Sequence, residues 1–552
     1  MNRRNMKSSL IYYLKILAVV FVISLPIIFP YLKPGYFPTH DGEWAVVRLS
    51  DMFRELRDFQ IPPRYSGDLN FGYGYPLFNF VYPPPYYLGL VIHFFGLSFV
   101  DSIKSLFFVS VPLSAFFMFL ASKKIWKNTQ AGLISAVFYA YFPYRIVDLY
   151  VRGSLGESLA FVLFPLIIFL FLNISEEKKD YFFVPLASLC LGLLIMTHNI
   201  MSVFFGIILL VFIVYSLINN RNLIGKYLVF ILLGFGISSF FSLPALLEKK
   251  NILLSVIPIA DRNIYFVTLK QLILPKWGYG VPTEANGFSY QLGISYILIF
   301  LLSIWFFLIN LFKHKLKRDY LIPLISLIVL FIVLMFKPTR ILWENIPLLS
   351  EINYPWTLLG PLGFLISLLA GFLARKEITI KIITLILIIL SAAMVFPYAK
   401  PNYFVNRGDS FYLTNLATTT SSNELMPLWV KNHPKTNVGK KVEILKGEGQ
   451  IKIVKSRSND IRFNVDLTRV GIVRINTIYY PGWTIRDENG KILSPDYKND
   501  YGVMDIRLDK GKHFVKASFE ETNLRLVADI ISVLSFGIFF LFLFYFFKFK
   551  RS

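Results

Sequence analysis

The sequence predicts a polytopic α-helical membrane protein that carries a small antiparallel β-sandwich near its C-terminus. Three observations predict it. Of the 552 residues, 55% are hydrophobic and only 16% are charged. Apolar runs long enough to cross a bilayer, about 20 residues each, recur from Leu10 onward. The stretch 438–523 breaks that pattern with apolar–polar alternation of period two, as half-buried strands require.

The apolar runs justify about twelve spans: 10–31, 100–122, 129–147, 155–173, 181–197, 199–218, 226–247, 291–311, 320–336, 355–373, 378–396 and 525–547. The first is too long for a signal-peptide core and no small-residue cleavage site follows it, so a retained helix is expected. The single cysteine, Cys190, lies inside a run. It allows no internal disulfide and no cysteine-type zinc site.

Charge sets the orientation. The net charge is +23, and Lys and Arg gather at Arg3–Lys7, Lys123–Lys127, Lys178–Lys179, Arg221–Lys226, Lys313–Arg318, Arg375–Lys381 and Lys548–Arg551. Twelve spans put all these short segments on one side, the cytoplasmic signature, and no nucleic-acid surface is needed to explain them. Both termini are then cytoplasmic, in a multi-pass plasma-membrane protein. The stretch "YYLGLVIHFFGL", Tyr86–Leu97, follows three prolines. Were it to cross, every later basic loop would flip outward. It is expected to be a juxtamembrane or re-entrant helix on the outer face.

The outer face then receives 32–99, 248–290, 337–354 and 398–523, and function is expected there. The domain reading is a transmembrane unit over 1–397, an outer region over 398–523 with its sandwich from about 438, and a final helix with a basic tail over 524–552. Within the first loop, Glu43–Phe59 sets Trp44, Val47, Leu49, Phe53 and Leu56 against Arg48, Asp51, Arg54 and Glu55 at helical spacing. That pattern predicts a helix lying in the interface plane. Gly67–Tyr87 is aromatic and glycine-rich, suited to headgroup depth or to sugar rings. In the tail, "QIKIVKS", "DIRFNVDL", "GIVRINTIYY", "YGVMDIRL" and "HFVKASF" are predicted strands, with "DENGK" and "DKGK" as hairpin turns.

Candidate chemistry begins at "YFPTHDGEWAVVRL", which holds His40, Asp41 and Glu43. A carboxylate at the membrane surface can take a proton from a hydroxyl acceptor. Equally, Asp41 could cap the following helix, with Glu43 in its first turn. "FPYRIVDLYVRGSLGE" gathers Arg145, Asp148, Arg152 and Glu157, either a guanidinium fork for phosphate or a self-neutralising cluster between helices. His198 in "THN" is a structural histidine or a site group. "KPTR", with Lys337 and Arg340, and "EINYPW", ending at Trp356, are interfacial anchors or a lid and phosphate clamp. "NELMPLW", with Glu424 as its acid, could cover the site. There is no nucleotide-binding glycine loop, no HExxH and no serine-hydrolase elbow.

The order of "THDGEW", "GYGYPLFNFVYPPPYYL", "YRIVDLYVRGSLGESLAFVLFPL", "THN", "INYPW", "NELMPLW" and "YYPGW" resembles the 6-pyruvoyl-tetrahydropterin-synthase-related membrane proteins and the YfhO-type proteins. Both are similar to the GT-C glycosyltransferase superfamily; nothing here resembles the soluble zinc enzyme that shares the pterin name. The resemblance implies a GT-C-like bundle whose first outer loop carries juxtamembrane helices. It implies sugar transfer from a polyprenyl-phosphate donor to a glycan, lipid or protein acceptor outside the cytoplasm. Asp41 would be the base, with Glu43 the less secure second acid, in one inverting displacement. Arg145, Arg152 or Arg340 would meet the leaving phosphate. His40, Asp148, Glu157, His198, Trp356 and Glu424 would complete the substrate site. A divalent cation, Mg or Mn, held by Asp41 and Glu43 stays open. A transporter or flippase of lipid-linked glycans would want charges deep in the spans, and a non-catalytic envelope scaffold would need Asp41 only as a cap.

Overall fold

The computed structural model describes residues 3–174, 180–312, 320–374 and 378–551. The basic segments at Lys178–Lys179, Lys313–Arg318 and Arg375–Lys376 lie outside the described residues. Helices occupy the predicted apolar runs: α1 (Arg3–Ile28), α2 (Gly42–Arg57), α3 (Pro84–Phe94), α4 (Phe99–Trp126), α5 (Thr129–Ala140), α6 (Pro143–Val147), α7 (Leu155–Ile174), α8 (Asp180–Thr197), α9 (Asn199–Asn219), α10 (Ile224–Leu247), α11 (Leu269–Ile273), α12 (Ile294–Phe312), α13 (Leu321–Leu334), α14 (Arg340–Asn345), α15 (Pro347–Ser350), α16 (Leu359–Leu373), α17 (Ile378–Val395), α18 (Asp409–Leu413) and α19 (Asn523–Arg551). Among the described residues eight helices are long and apolar enough to cross a membrane, or nine if α13 and the segment Lys337–Asn345, bent by 89°, form one span. The chain is a multi-pass membrane protein.

The predicted span 129–147 is not one helix. Phe142 is extended before Pro143, as the steric clash with a proline ring demands. The helix therefore stops at Ala140, restarts as α6, and continues as a π-helical turn over Asp148–Arg152 that Gly153 ends at φ +61. The stretch expected to lie on the outer face is α3. Its 11 residues extend about 16 Å, half the hydrocarbon thickness.

The interfacial reading of α2 needs correction. Most of its predicted polar side is not in water: Asp51 is 1% exposed, Glu55 0% and Arg48 9%, and of the four residues predicted there only Arg54 keeps substantial exposure. For Glu55 and Arg48, internal partners replace solvent. Glu55 accepts from Gln60 Nε2 at 2.8 Å and from the Gly67 amide at 3.0 Å, and Arg48 Nε donates to Thr419 Oγ1 at 3.0 Å.

Strands β1 (Val442–Lys446), β2 (Gly449–Ser456), β3 (Asp460–Leu467), β4 (Gly471–Ile478), β5 (Trp483–Arg486), β6 (Ile492–Leu493), β7 (Val503–Leu508) and β8 (Gly511–Phe519) form two antiparallel sheets, β1-β4-β7 and β2-β3-β8-β5-β6. The β4 residues Val473 and Ile475 and the β3 residues Ile461, Phe463 and Val465 are all buried, so alternation in both sheets feeds one core. "DENGK" is the β5–β6 turn as predicted. "DKGK" is not a hairpin. It carries the chain from β7 in one sheet to β8 in the other, with Gly511 at φ +131.

Ion pairs fasten the start of α19, which directly follows the sandwich, to the bundle and the first loop. Glu248, just past α10, receives Arg525 Nε at 3.0 Å, Arg525 Nη2 at 2.8 Å and Asn79 Nδ2 at 2.8 Å. Arg525 Nη2 also donates to Pro481 O at 2.8 Å. Nearby, Arg64 pairs with Asp529 at 2.8 Å and Glu521 at 3.2 Å.

Candidate functional site

The site forms where the first loop meets the turn after α6. The amides of His40 and Asp41 donate to the carbonyls of Val151 and Arg152 at 2.9 and 2.8 Å. Gly153 permits this approach: a Cβ there would stand 2.2 Å from Thr39 Oγ1 and 2.9 Å from the Gly42 amide. Asp41 occupies the N-cap position of α2, yet its side chain makes no capping bond. Thr39 Oγ1 accepts from the Gly42 amide at 2.9 Å instead. The Asp41 carboxylate is half-buried and has no hydrogen-bond or ion-pair partner among the described residues.

Arg152 lies beside it. Its Nη1 contacts Tyr144 Oη at 2.9 Å and the Glu157 carboxylate, and its guanidinium sits 4.8 Å from the Trp356 ring centre. Tyr144 Oη donates to Glu157 Oε2 at 2.9 Å. Burial works against the charged guanidinium, and Glu157, Tyr144 and Asp41 overcome it, so Arg152 is held firmly cationic. Its side chain keeps 14% exposure; Nε and Nη2 have no partner among the described residues.

His198 closes the other side. Its Nδ1 accepts from the Met201 amide at 3.2 Å, capping α9, which leaves the proton on Nε2, 3.7 Å from Glu157 Oε1. Burial pushes its pKa down to about 4, with Glu157 opposing. Tyr82 stacks on His198 with ring centres 5.9 Å apart. Tyr82, Tyr144 and Tyr354 are site residues that sequence reasoning did not single out. Burial raises the Tyr354 pKa, and the charges of Arg152, Asp41 and Glu424 all act on it. His40 meets Tyr279 O at 3.0 Å through Nε2, with its ring 6.0 Å from Phe288. Burial lowers its pKa.

Other candidates are placed elsewhere. Arg145 is 2% exposed; it donates to Ser110 Oγ at 2.7 Å, to Asp148 Oδ2 and Ser158 O at 3.4 Å each, and lies 4.7 Å from the Phe161 ring centre. Asp148 is sealed, and burial with the Glu157 charge pushes its carboxyl upward. The pair is a self-neutralising strut between helices, out of a substrate's reach. Arg340 is half-exposed and ion-paired with Glu344 on its own helix. Glu43 faces different surroundings from Asp41: its pKa is raised by burial and opposed by Arg407, and its charge acts on Tyr36 and Tyr412. Among the described residues no three His, Cys, Asp or Glu side chains gather closely enough to hold a metal ion.

The fold and the site thus define a multi-pass membrane protein with a free carboxylate and a partly committed arginine at one end of its bundle. No family model matches the chain. An uncharacterized protein of Lactococcus lactis subsp. cremoris is 22% identical over 334 residues, 58% of this chain and 54% of that protein; the chain spans about half the length of the curated relative it matches. Among solved structures, arabinofuranosyltransferase AftD from Mycobacteria is similar over 71% of this chain and 27% of its own, at 14% identity and TM-score 0.46. Oligosaccharyltransferase AglB from Archaeoglobus fulgidus, in complex with an inhibitory peptide and a dolichol-phosphate, is similar over 76% and 61%, at 14% identity and TM-score 0.46.

Proposed function

We propose that the chain is a membrane glycosyltransferase of the GT-C kind. It moves a sugar from a polyprenyl-phosphate donor to an acceptor outside the cytoplasm, with the sandwich and large loops extracytoplasmic. The observation that supports this best is the pairing of an uncommitted Asp41 carboxylate with an Arg152 that retains free donors. Asp41 would take the acceptor hydroxyl's proton as that oxygen attacks the anomeric carbon. The bond from that carbon to the carrier phosphate breaks with inversion. Arg152 Nε and Nη2 would face the departing phosphate, where charge develops. Trp356 beneath and Glu157 behind hold the guanidinium in place.

The distribution of charge supports chemistry at one face over passage through the bundle. Lys104, Arg145, Asp148, Glu157, Glu248 and Arg525 are buried charged residues of the helical region. All lie toward the end that carries the first loop and the sandwich. A transport path would want such groups deeper.

The test is Asp41→Asn in purified protein, incubated with a panel of polyprenyl-phosphate sugars while carrier release is followed. Loss of at least about 10²-fold with an unchanged melting temperature is expected. Full activity in that variant overturns the assignment.

A further inference from the structure

A second polar site lies at the far end of α2. There a cleft of about 480 Å³ opens between the helix, the loop after it and the sandwich, lined by Arg54, Arg57, Asp58, Asp68, Lys441 and Arg457 among others. Four cations face two acids. Arg54 pairs with Asp68 at 3.3 Å and Arg457 with Asp58 at 3.7 Å. Among the described residues Lys441 donates only to Gly72 O, at 2.7 Å. Arg57 has no carboxylate partner among the described residues and lies over Phe53, 5.7 Å from the ring centre. Burial lowers the Lys441 pKa to about 8, opposed by Asp68 and by Glu55 behind Gly67; burial raises the Glu55 pKa, which reduces the charge it sets against the cations.

The cleft's wall is built and held. Asn70 and Phe71, two successive non-glycine residues, adopt φ +57 and +59, followed by Gly72 at +83. Such backbone persists only where surroundings enforce it. Here the sandwich does so: Val438 and Ile478 amides donate to Phe71 O and Tyr73 O, both at 2.9 Å. Next to the cleft, Tyr73 stacks on Tyr501 with centres 5.8 Å apart, an aromatic face of the kind sugar rings pack against.

We propose that this cleft binds a phosphate-bearing glycan, the phosphate meeting Arg57, Lys441 and Arg457. α2 separates it from Asp41 by about 24 Å at 1.5 Å per residue. That distance excludes the donor phosphate at Asp41 and suits a remote part of an extended acceptor. Its role as an acceptor site rests on the proposed transferase function; binding itself does not. Binding is therefore measured without turnover, so failure of one is distinguishable from failure of the other.

Full-length protein in detergent is titrated with glucose 6-phosphate, inorganic phosphate and glucose, following melting temperature and heat. Glucose 6-phosphate is expected to bind saturably and more tightly than inorganic phosphate, and glucose not at all. Arg57→Gln/Arg457→Gln, which alters two solvent-facing side chains, is expected to weaken binding at least tenfold with the unliganded melting temperature unchanged. The Arg57→Gln single variant is expected to do so in part. The proposal is overturned by equal binding in wild type and double variant, by no binding, by glucose 6-phosphate binding no better than phosphate, or by binding only to phosphatidylglycerol nanodiscs.

Discussion

Two buried arginine–glutamate pairs anchor this molecule, and they are built differently. Arg525 is 0% exposed; its Nε and Nη2 both go to Glu248 and Nη2 also to Pro481 O. Its Nη1 has no hydrogen-bond partner among the described residues, but it is sealed from solvent and so closed to a ligand. Arg152 commits Nη1 to Tyr144 and Glu157, keeps 14% exposure, and leaves Nε and Nη2 open beside Asp41. The residue types are the same. Spare donors that remain accessible next to an uncommitted acid separate a group that can act on a substrate from one that only braces the fold.

The sharpest break should come at the closed pair. Arg525→Ala leaves Glu248 buried without its cation, a change that costs about 3–5 kcal/mol. A large fall in melting temperature is expected, with the sandwich becoming the first region cut by protease. The open pair should respond in activity instead. Arg152→Lys keeps a positive charge for Glu157 but removes the planar fork. A rate loss of about 10²–10³-fold with a much smaller change in melting temperature is expected, read in the carrier-release assay. If Arg152→Lys instead unfolds the protein as Arg525→Ala does, the contrast between the pairs is gone.

How far this was legible in the sequence depended on the range of the interaction. Apolar runs located the helices, alternation located β2, β3, β4, β7 and β8, and loop charge kept Tyr86–Leu97 from being counted as a span. These are local signals that burial reinforces. The π-turn at Asp148–Arg152 was not legible: nothing local in the sequence shows that Gly153 at its end packs against Thr39, 114 positions away. Nor was the burial of Asp51 and Glu55: amphipathic spacing shows which residues share a face, not what covers that face. Asp41 had two local readings, cap or free acid. A competitor two residues upstream, Thr39, takes the Gly42 amide and leaves the acid free. Arg145 and Arg152 look alike in sequence, and only packing seals one of them.

His198 sharpens the comparison from the side of pH. Its pKa is about 4 in the fold against an ordinary 6.5. The unfolded chain therefore binds more protons between those values, and stability falls as pH drops from 6.5 toward 4, by at most about 3 kcal/mol. His198→Asn keeps an oxygen to cap Met201 and removes the titrating ring. A flatter dependence of melting temperature on pH across that window is expected.

The smallest effect belongs to an arginine the sequence offered as a phosphate ligand. Arg340 pairs with Glu344 one turn along, and both side chains are about half-exposed, at 52% and 43%. An exposed i,i+4 pair contributes about 0.3–0.5 kcal/mol, and salt screens it. Arg340→Ala should therefore leave carrier release unchanged and shift the melting temperature by a small amount that vanishes at high salt. A rate loss there comparable to that of Arg152→Lys would place a second cation at the phosphate and require α14 to close over the site.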